Sequence, residues 1–525
     1  MSERTDLPPG WIVAKLEDIS DIIMGQSPPS SSYNENGEGL PFFQGKTDFT
    51  DLYPRIRKWC DAPGKIAELD DILLSVRAPV GPTNLAPSRC CIGRGLAAIR
   101  PMNGVDVRYV LFAIRAFNTV LSELGTGTTF DAVSGDHVRA FEIPLAPTNG
   151  QRRIVQKIEE LFTELDAGVA ALERVRANLK RYRAAVLKAA VEGALTADWR
   201  ARRPDVEPAG DLLQRILREC HDAWEQTELA RYAKAGKTAP KGWQDKYKEP
   251  AAPDTTDLPE LPEGWRWATV EQLTARSEYG TSVKCDYLAK GAPVLRIPNI
   301  AAGELDLSDL KFATQTLHLD VNSALQPGDI LMCRTNGSVS LIGKAALVRV
   351  TLEPYHTFAS YLLRFRLVES DVLPKWLHLF VSSRQGRSFI ESHAASSAGQ
   401  HNISLSLMHS MALPLPPLAE QEQIVAEVER RLSVAEDAEA RVAAGLKRAA
   451  RLRQSILKRA FAGDLVPQDP TDEPASALLE RIAVERGRAV TAGKAARGAG
   501  RASPPRDERV VARDAGERQL ALDLQ

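Results

Sequence analysis

The sequence lacks most of the features that announce a membrane protein or an enzyme. It has no run of about 18 apolar residues, the length that a membrane-spanning helix needs. Its opening MSERTDLPPGW has no apolar core of the kind a secretory signal carries, so a cytoplasmic protein is expected. Cysteine is sparse: the six stand at 60, 90, 91, 220, 285 and 333, and none forms a CxxC pair. That spacing argues against a zinc site or a disulfide framework and for reduced thiols. The phosphate-cradling GxxxxGK[ST] is missing, as is the DPPY or NPPY tetrad of amino-methylating enzymes. The eight histidines are dispersed without HExxH, and no acidic cluster with a nearby lysine reads as a nuclease centre. A non-catalytic chain with no metal and no cofactor of its own is expected. Excess charge is absent too, the net being −1. That neither argues for nucleic acid nor excludes it, because phosphate contact needs a basic face rather than a basic chain.

What is present is a repeat. Residues 143–195 align without a gap with 413–465. Ile143-Pro144-Leu145 matches Leu413-Pro414-Leu415, and Gln151, Ile154 and Val155 match Gln421, Ile424 and Val425. Lys188, Ala190, Gly193 and Leu195 recur as Lys458, Ala460, Gly463 and Leu465. After a short deletion EPAGDLLQRI (207–216) matches EPASALLERI (473–482), and LPPGW (7–11) is echoed by LPEGW (261–265). The 525 residues exceed one core, and the composition, 44% hydrophobic and 26% charged, is that of a soluble globular protein. Residues 12–130 and 266–400 share only echoes, such as DILLSVRAPVG (71–81) against DILMCRTNGSV (329–339). A constant frame around unlike inserts suggests one scaffold that presents two different specificities; neutral drift of loops on a duplicated protein is the other reading.

Residues 151–190 carry a heptad, the pattern of a coiled-coil seam: Ile154, Ile158, Leu161, Leu165, Leu172, Val175 and Leu179. The second copy continues it more loosely, with Ile424, Val428, Leu432, Leu452 and Ile456 among alanines. Each helix runs about 40 residues, roughly 60 Å, and the natural partner of one is the other, packed antiparallel. Early acids and late bases along the first helix complement its dipole. Its basic end is read either as a solvated face or as a contact for phosphates or an acidic partner.

The variable blocks have short apolar runs punctuated by Gly and Pro. LPFF (40–43), ILLSV (72–76), CIGRGLAAI (91–99), VLRIPNI (294–300), DILMC (329–333), KAALVRV (344–350) and YLLRFRLV (361–368) read as strands. VRYVLFAIRAF (107–117) and LPKWLHLFVSS (373–383) read as helices. The class is α/β or α+β with an irregular, mostly antiparallel sheet. Candidate readers at the turns are Gln44, Lys46, Arg77, Thr128 and Thr129 in the first block. In the second they are Arg296, Asn299, Arg334, Asn336, Lys344, Gln400 and Asn402. Arg, Asn and Gln make bidentate bonds to guanine and adenine edges, and Gly and Thr beside them allow phosphate contact.

These pieces resemble the specificity subunit of type I restriction–modification systems. The residues that carry the likeness are LPPGW and LPEGW, IPLAPTNGQRRIVQKIEELF (143–162), LPLPPLAEQEQIVAEVERRL (413–432) and the LK-x-A-x-x-G-x-L segments at 187–195 and 457–465. The first copy departs from the family pattern where Ala146-Pro147-Thr148-Asn149-Gly150 stands. The resemblance covers about residues 5–485. It implies two target recognition domains with irregular β-rich sheets, separated by two long helices in an antiparallel coiled coil, with a pseudo-two-fold internal repeat. Implied boundaries are recognition domain 1 at 1–148, a central conserved helix at 149–200, a short helical segment and linker at 201–258, recognition domain 2 at 259–418, a distal conserved helix at 419–466, and a short helix with a disordered basic tail at 467–525.

The implied function is reading a bipartite, asymmetric site on double-stranded DNA, one half per domain. Two modification subunits, adenine methyltransferases using S-adenosylmethionine, and restriction subunits using ATP and Mg would be the partners. A coiled-coil scaffold with two protein-binding domains is the alternative.

Overall fold

The computed structural model describes residues 7–123, 132–368, 370, 372–397 and 399–499. The helices that position the site are α1 (Val107–Ala116), α2 (Thr148–Val191), α3 (Ala209–Lys234), α4 (Leu373–Ser382), α5 (Leu418–Ala460) and α6 (Ala475–Ala499). No described helix is long and apolar enough to cross a membrane. The chain divides into two compact units, one formed by Met1–Ala170 with Leu446–Gln525, the other by Ala171–Gly445. The division cuts both long helices instead of setting them apart, because their ends are built into the domain cores. Ile154, Val155, Ile158, Phe162, Leu457, Ala460 and Phe461 belong to the core of the first unit. Val186, Ala190, Val191, Ile424 and Val428 belong to that of the second.

The expected seam is sealed only in part. Ile154, Ile158, Ile424 and Val428 are buried, whereas Leu161, Leu165, Leu172, Leu179, Leu432 and Ile456 are half-buried. Val175 is 42% exposed and Leu452 44%. Phe162 and Leu457, one position off the heptad, are buried instead. A domain core covers a wider face of a helix than a single helical neighbour does, and it takes residues beside the a/d stripe. Within the second unit Gly445 faces Leu172, whose Cδ1 would lie 3.0 Å from a Cβ there. Arg183 there reaches Glu436 at 2.7 Å and Glu439 at 2.8 Å. The tail expected to be disordered from about 486 is helical through Ala499, its first turns being held by the core of the first unit. Residues 500–525 lie outside the described residues.

Where the sequences diverge, the backbones agree. The first unit has a sheet of Ser20–Met24, Leu96–Pro101, Ile72–Ser75 and Thr83–Leu85 in that order; the second repeats it with Thr274–Tyr279, Leu362–Leu367, Ile330–Cys333 and Ala345–Leu347. Ile99 stands opposite Ile72, and Phe365 opposite Ile330, in matching registers. A parallel pair accompanies each sheet, Phe42–Phe43 beside Cys91–Ile92 and Val294–Leu295 beside Thr357–Phe358. The strands are shorter than their apolar runs. CIGRGLAAI breaks at Gly93–Gly95 into two strands. VLRIPNI leaves the sheet after Leu295 for a single turn, since Pro298 has no N–H to donate. KAALVRV keeps only Ala345–Leu347.

The repeated motifs meet at one node in each unit. Gly264 O accepts from Ala209 N at 2.8 Å, so LPEGW pins the start of α3; Gly10 O accepts from Ala475 N at 2.8 Å, so LPPGW pins the start of α6. The indole of Trp265 donates to Glu420 and that of Trp11 to Gln468. Gly193 and Gly463 end the long helices with φ of +71° and +84°, and a Cβ on either would strike Pro262 or Pro8. The N-terminal LPPGW thus finds its partner motifs at the far end of the chain. Replacing Gly193 or Gly463 by alanine combines left-handed strain with a clash. Each variant is expected to lose about 1–3 kcal/mol, checked by tryptophan-monitored denaturant melts.

Candidate nucleic-acid interface

In the first unit four chain segments touch backbone to backbone. Gly93 N donates to Phe43 O at 2.8 Å, Gly25 N to Leu96 O at 2.9 Å, Gln26 N to Ile92 O at 3.1 Å and Val76 N to Gly95 O at 3.0 Å. Only glycine permits this approach: a Cβ on Gly95 would collide with Gln44 O, and one on Gly25 with Gly93 O. From this frame emerge Gln44, Arg77 and Arg94, all exposed, with Ser27 half-buried and its Oγ accepting from Arg94 N at 3.4 Å. Lys46 is exposed at the start of the turn that follows. The structure therefore brings together Gln44, Lys46 and Arg77. Thr128 and Thr129 lie outside the described residues.

The second unit builds the same frame. Ala359 N donates to Leu295 O at 2.9 Å, Thr281 N to Phe358 O at 2.8 Å and Arg334 N to Tyr361 O at 2.9 Å. Arg296 therefore occupies the place of Gln44, Ser360 that of Arg94, and Tyr361 that of Gly95. The chemistry there differs. Arg296 is held by Asp309 at 3.0 Å and lies over Tyr287. Asn299 is buried, accepting from Arg296 N at 2.8 Å and donating to the carbonyls of Asp306 and Asp309 at 2.8 and 2.9 Å. These two hold a loop together, and the expectation that Asn299 reads a base is corrected: all its bonding capacity faces inward.

Arg334, Asn336, Gln400 and Asn402 do converge. Thr335–Asn336 and Ala395–Ser397 flank Gln400–Asn402, with Thr335 opposite Asn402 and Asn336 opposite His401. Arg334 donates to Asn402 Oδ1 at 3.3 Å, and its guanidinium lies 4.6 Å from the ring of Tyr279. Tyr279 and Tyr361 are exposed beside this small sheet. Lys344 is placed elsewhere, in a cleft of about 770 Å³ lined with Arg183, Arg349, His378, Arg387 and Glu429.

Sequence reasoning missed Arg94, Ser27, Tyr279 and Tyr361. The signal for Arg94 was the GRG inside CIGRGLAAI, a glycine pair that marks a close backbone approach more than a strand. Burial pushes the thiols of Cys90, Cys91 and Cys333 up to about 12, 11 and 11, so none is a thiolate near neutral pH. Among the described residues no group of three His, Cys, Asp or Glu side chains is placed to hold a metal.

Fold and faces define a two-unit protein whose similar backbones present different hydrogen-bonding side chains. Residues 8–173 match the family model for the type I restriction modification DNA specificity domain. The chain is 26% identical to the specificity subunit of the type I restriction enzyme EcoKI of Escherichia coli K12, over 93% of this chain and 98% of that one. It is 42% identical to the putative type I restriction enzyme MjaX specificity subunit of Methanocaldococcus jannaschii, over 30% of this chain and 38% of that one. Among solved structures, the HsdS subunit from Thermoanaerobacter tengcongensis matches at 47% identity over 31% of this chain and 40% of that one, with a TM-score of 0.29. Residues 8–173 thus match the specificity-domain model, and most of the chain is similar to specificity subunits of type I restriction enzymes.

Proposed function

We propose that the chain reads a bipartite, asymmetric site on double-stranded DNA, one half per unit, and directs adenine methylation and restriction by partner subunits without catalysing either. The observation that carries this reading is the shared backbone frame, which holds Gln44, Arg77 and Arg94 in one unit and Arg334 in the other, where Gln400 and Asn402 join it from the small sheet. Such side chains suit base edges in the major groove. α2 and α5 act as an antiparallel coiled-coil spacer, a reading supported by Arg183 meeting Glu436 and Glu439 and by Leu172 meeting Gly445. Two methyltransferase subunits dock on the repeated segments and bring S-adenosylmethionine; restriction subunits bring ATP and Mg. The complex works in the cytoplasm.

Co-expression with a methyltransferase subunit from the same system, followed by genome-wide mapping of methylated adenine, tests this. The expected result is one split motif with a fixed gap, and a swap of residues 12–145 that changes one half alone. A complex that co-purifies yet methylates no split motif would return the protein-binding scaffold as the better reading.

A further inference from the structure

Among the positions at which the two frames differ is that of Arg94, where the second unit has Ser360. The knuckle Gly93–Arg94–Gly95 is fixed by backbone bonds on both sides, and its glycines leave no room for another side chain. Arg94 is its outward-pointing residue, and its guanidinium has no ion-pair partner among the described residues. Two other exposed arginines of this unit do have one, Arg57 with Asp48 and Arg89 with Glu68, whereas Arg77, in the same patch as Arg94, has none among the described residues. The segments around the knuckle, 25–27, 44–46, 76–81 and 93–96, contain no Asp or Glu but do contain Lys46, Arg77 and Arg94. An unpaired guanidinium on a rigid backbone, in a patch of one sign, is arranged to receive a fixed, electron-rich partner. A flexible loop would suit a phosphate, which tolerates many approach angles. A rigid knuckle suits the two parallel bonds to guanine O6 and N7, which do not.

We propose that Arg94 is a specificity-determining residue that reads a guanine in the half-site of the first unit. This rests on the DNA-reading function above and deepens it. Ser360 takes the equivalent place in the second unit, too short for that contact. There the cationic group is Arg334, reached from the neighbouring strand and braced by Tyr279 and Asn402. The two half-sites are therefore read from different points of one frame, which makes the site asymmetric.

The test uses the full-length chain in complex with its methyltransferase. Wild type and Arg94→Ala are titrated against duplexes carrying the mapped site, and against duplexes with each guanine of the first half-site replaced in turn. The half-site is assigned beforehand by the 12–145 swap. Wild type is expected to discriminate against replacement of one guanine roughly ten- to a hundredfold. Arg94→Ala should bind the cognate and replaced duplexes within about twofold of each other, while keeping its discrimination in the second half-site. That retained discrimination shows the variant to be folded. Three results overturn the proposal: a first half-site without guanine on either strand, a variant that keeps the full preference, or a variant that weakens on all duplexes alike with a shallower salt dependence, the mark of a phosphate contact. A wild-type complex with no split motif removes the underlying reading instead, before any variant is measured.

Discussion

Deleting residues 475–525 is expected to unfold the rest of the first unit while leaving the second unit folded. α6 supplies Ala475, Leu478 and Ile482 to the first core, all buried, and Leu479 packs against it. Arg486 adds bonds to the carbonyls of Glu17 and Ser20. Truncating one buried Leu or Ile costs about 2–5 kcal/mol, so removing the helix takes away most of the 5–15 kcal/mol that typically holds a domain together. Leu478→Ala and Ile482→Ala should each show the smaller loss. Limited proteolysis provides the readout: cleavage within 12–123 should appear in the truncated chain and not within 266–368. In the complex, the first half of the methylation motif should be lost. Equal protection of both regions in the truncated chain would mean that α6 is an ornament on the first core.

The second large effect is expected at the carboxylates beneath the two sheets. Asp329 is fully buried and takes both bonds of the Arg366 fork at 2.7 Å. It also stands 3.6 Å from Arg364, a fully buried arginine that meets Glu278 at 2.6 Å. Asp71 makes the same fork with Arg100, at 2.8 and 2.7 Å, but Arg100 is 39% exposed. Removing one partner of a buried pair costs about 3–5 kcal/mol, because the other charge is left without compensation. Asp329→Ala should therefore destabilise the second unit by about that much. Asp71→Ala should cost the first unit less, about 1–2 kcal/mol, because water reaches Arg100. Denaturant melts of both variants measure the difference. Equal losses would show that solvent does not relieve Arg100.

Some of this architecture was legible in the residues. Long helices show themselves by period and caps over many turns, and α2 and α5 run where the heptads stand. The repeated motifs were visible as motifs, though not as one contact. LPPGW precedes the first variable block in sequence, yet it closes on Gly463 and Ala475. Nothing local encodes that pairing, since the partners are separated by most of the chain. The site was harder to read. Side chains of the right type are common, and burial decides which of them are free: Asn299 and Arg296 turned inward, while Arg334, Gln400 and Asn402 met on one small sheet.

The sequence alone determined the repeat, the two long helices, the variable character of the blocks between them and the family resemblance, because helix periodicity and motifs are local and survive without knowledge of neighbours. Tertiary structure decided that the two unlike blocks share one backbone, that the helix Ala475–Ala499 completes the first unit, and that Arg94 stands at a rigid knuckle without an ion-pair partner among the described residues. Those depend on backbone hydrogen bonds between segments far apart in the chain, and such bonds are made by main-chain atoms that every residue carries.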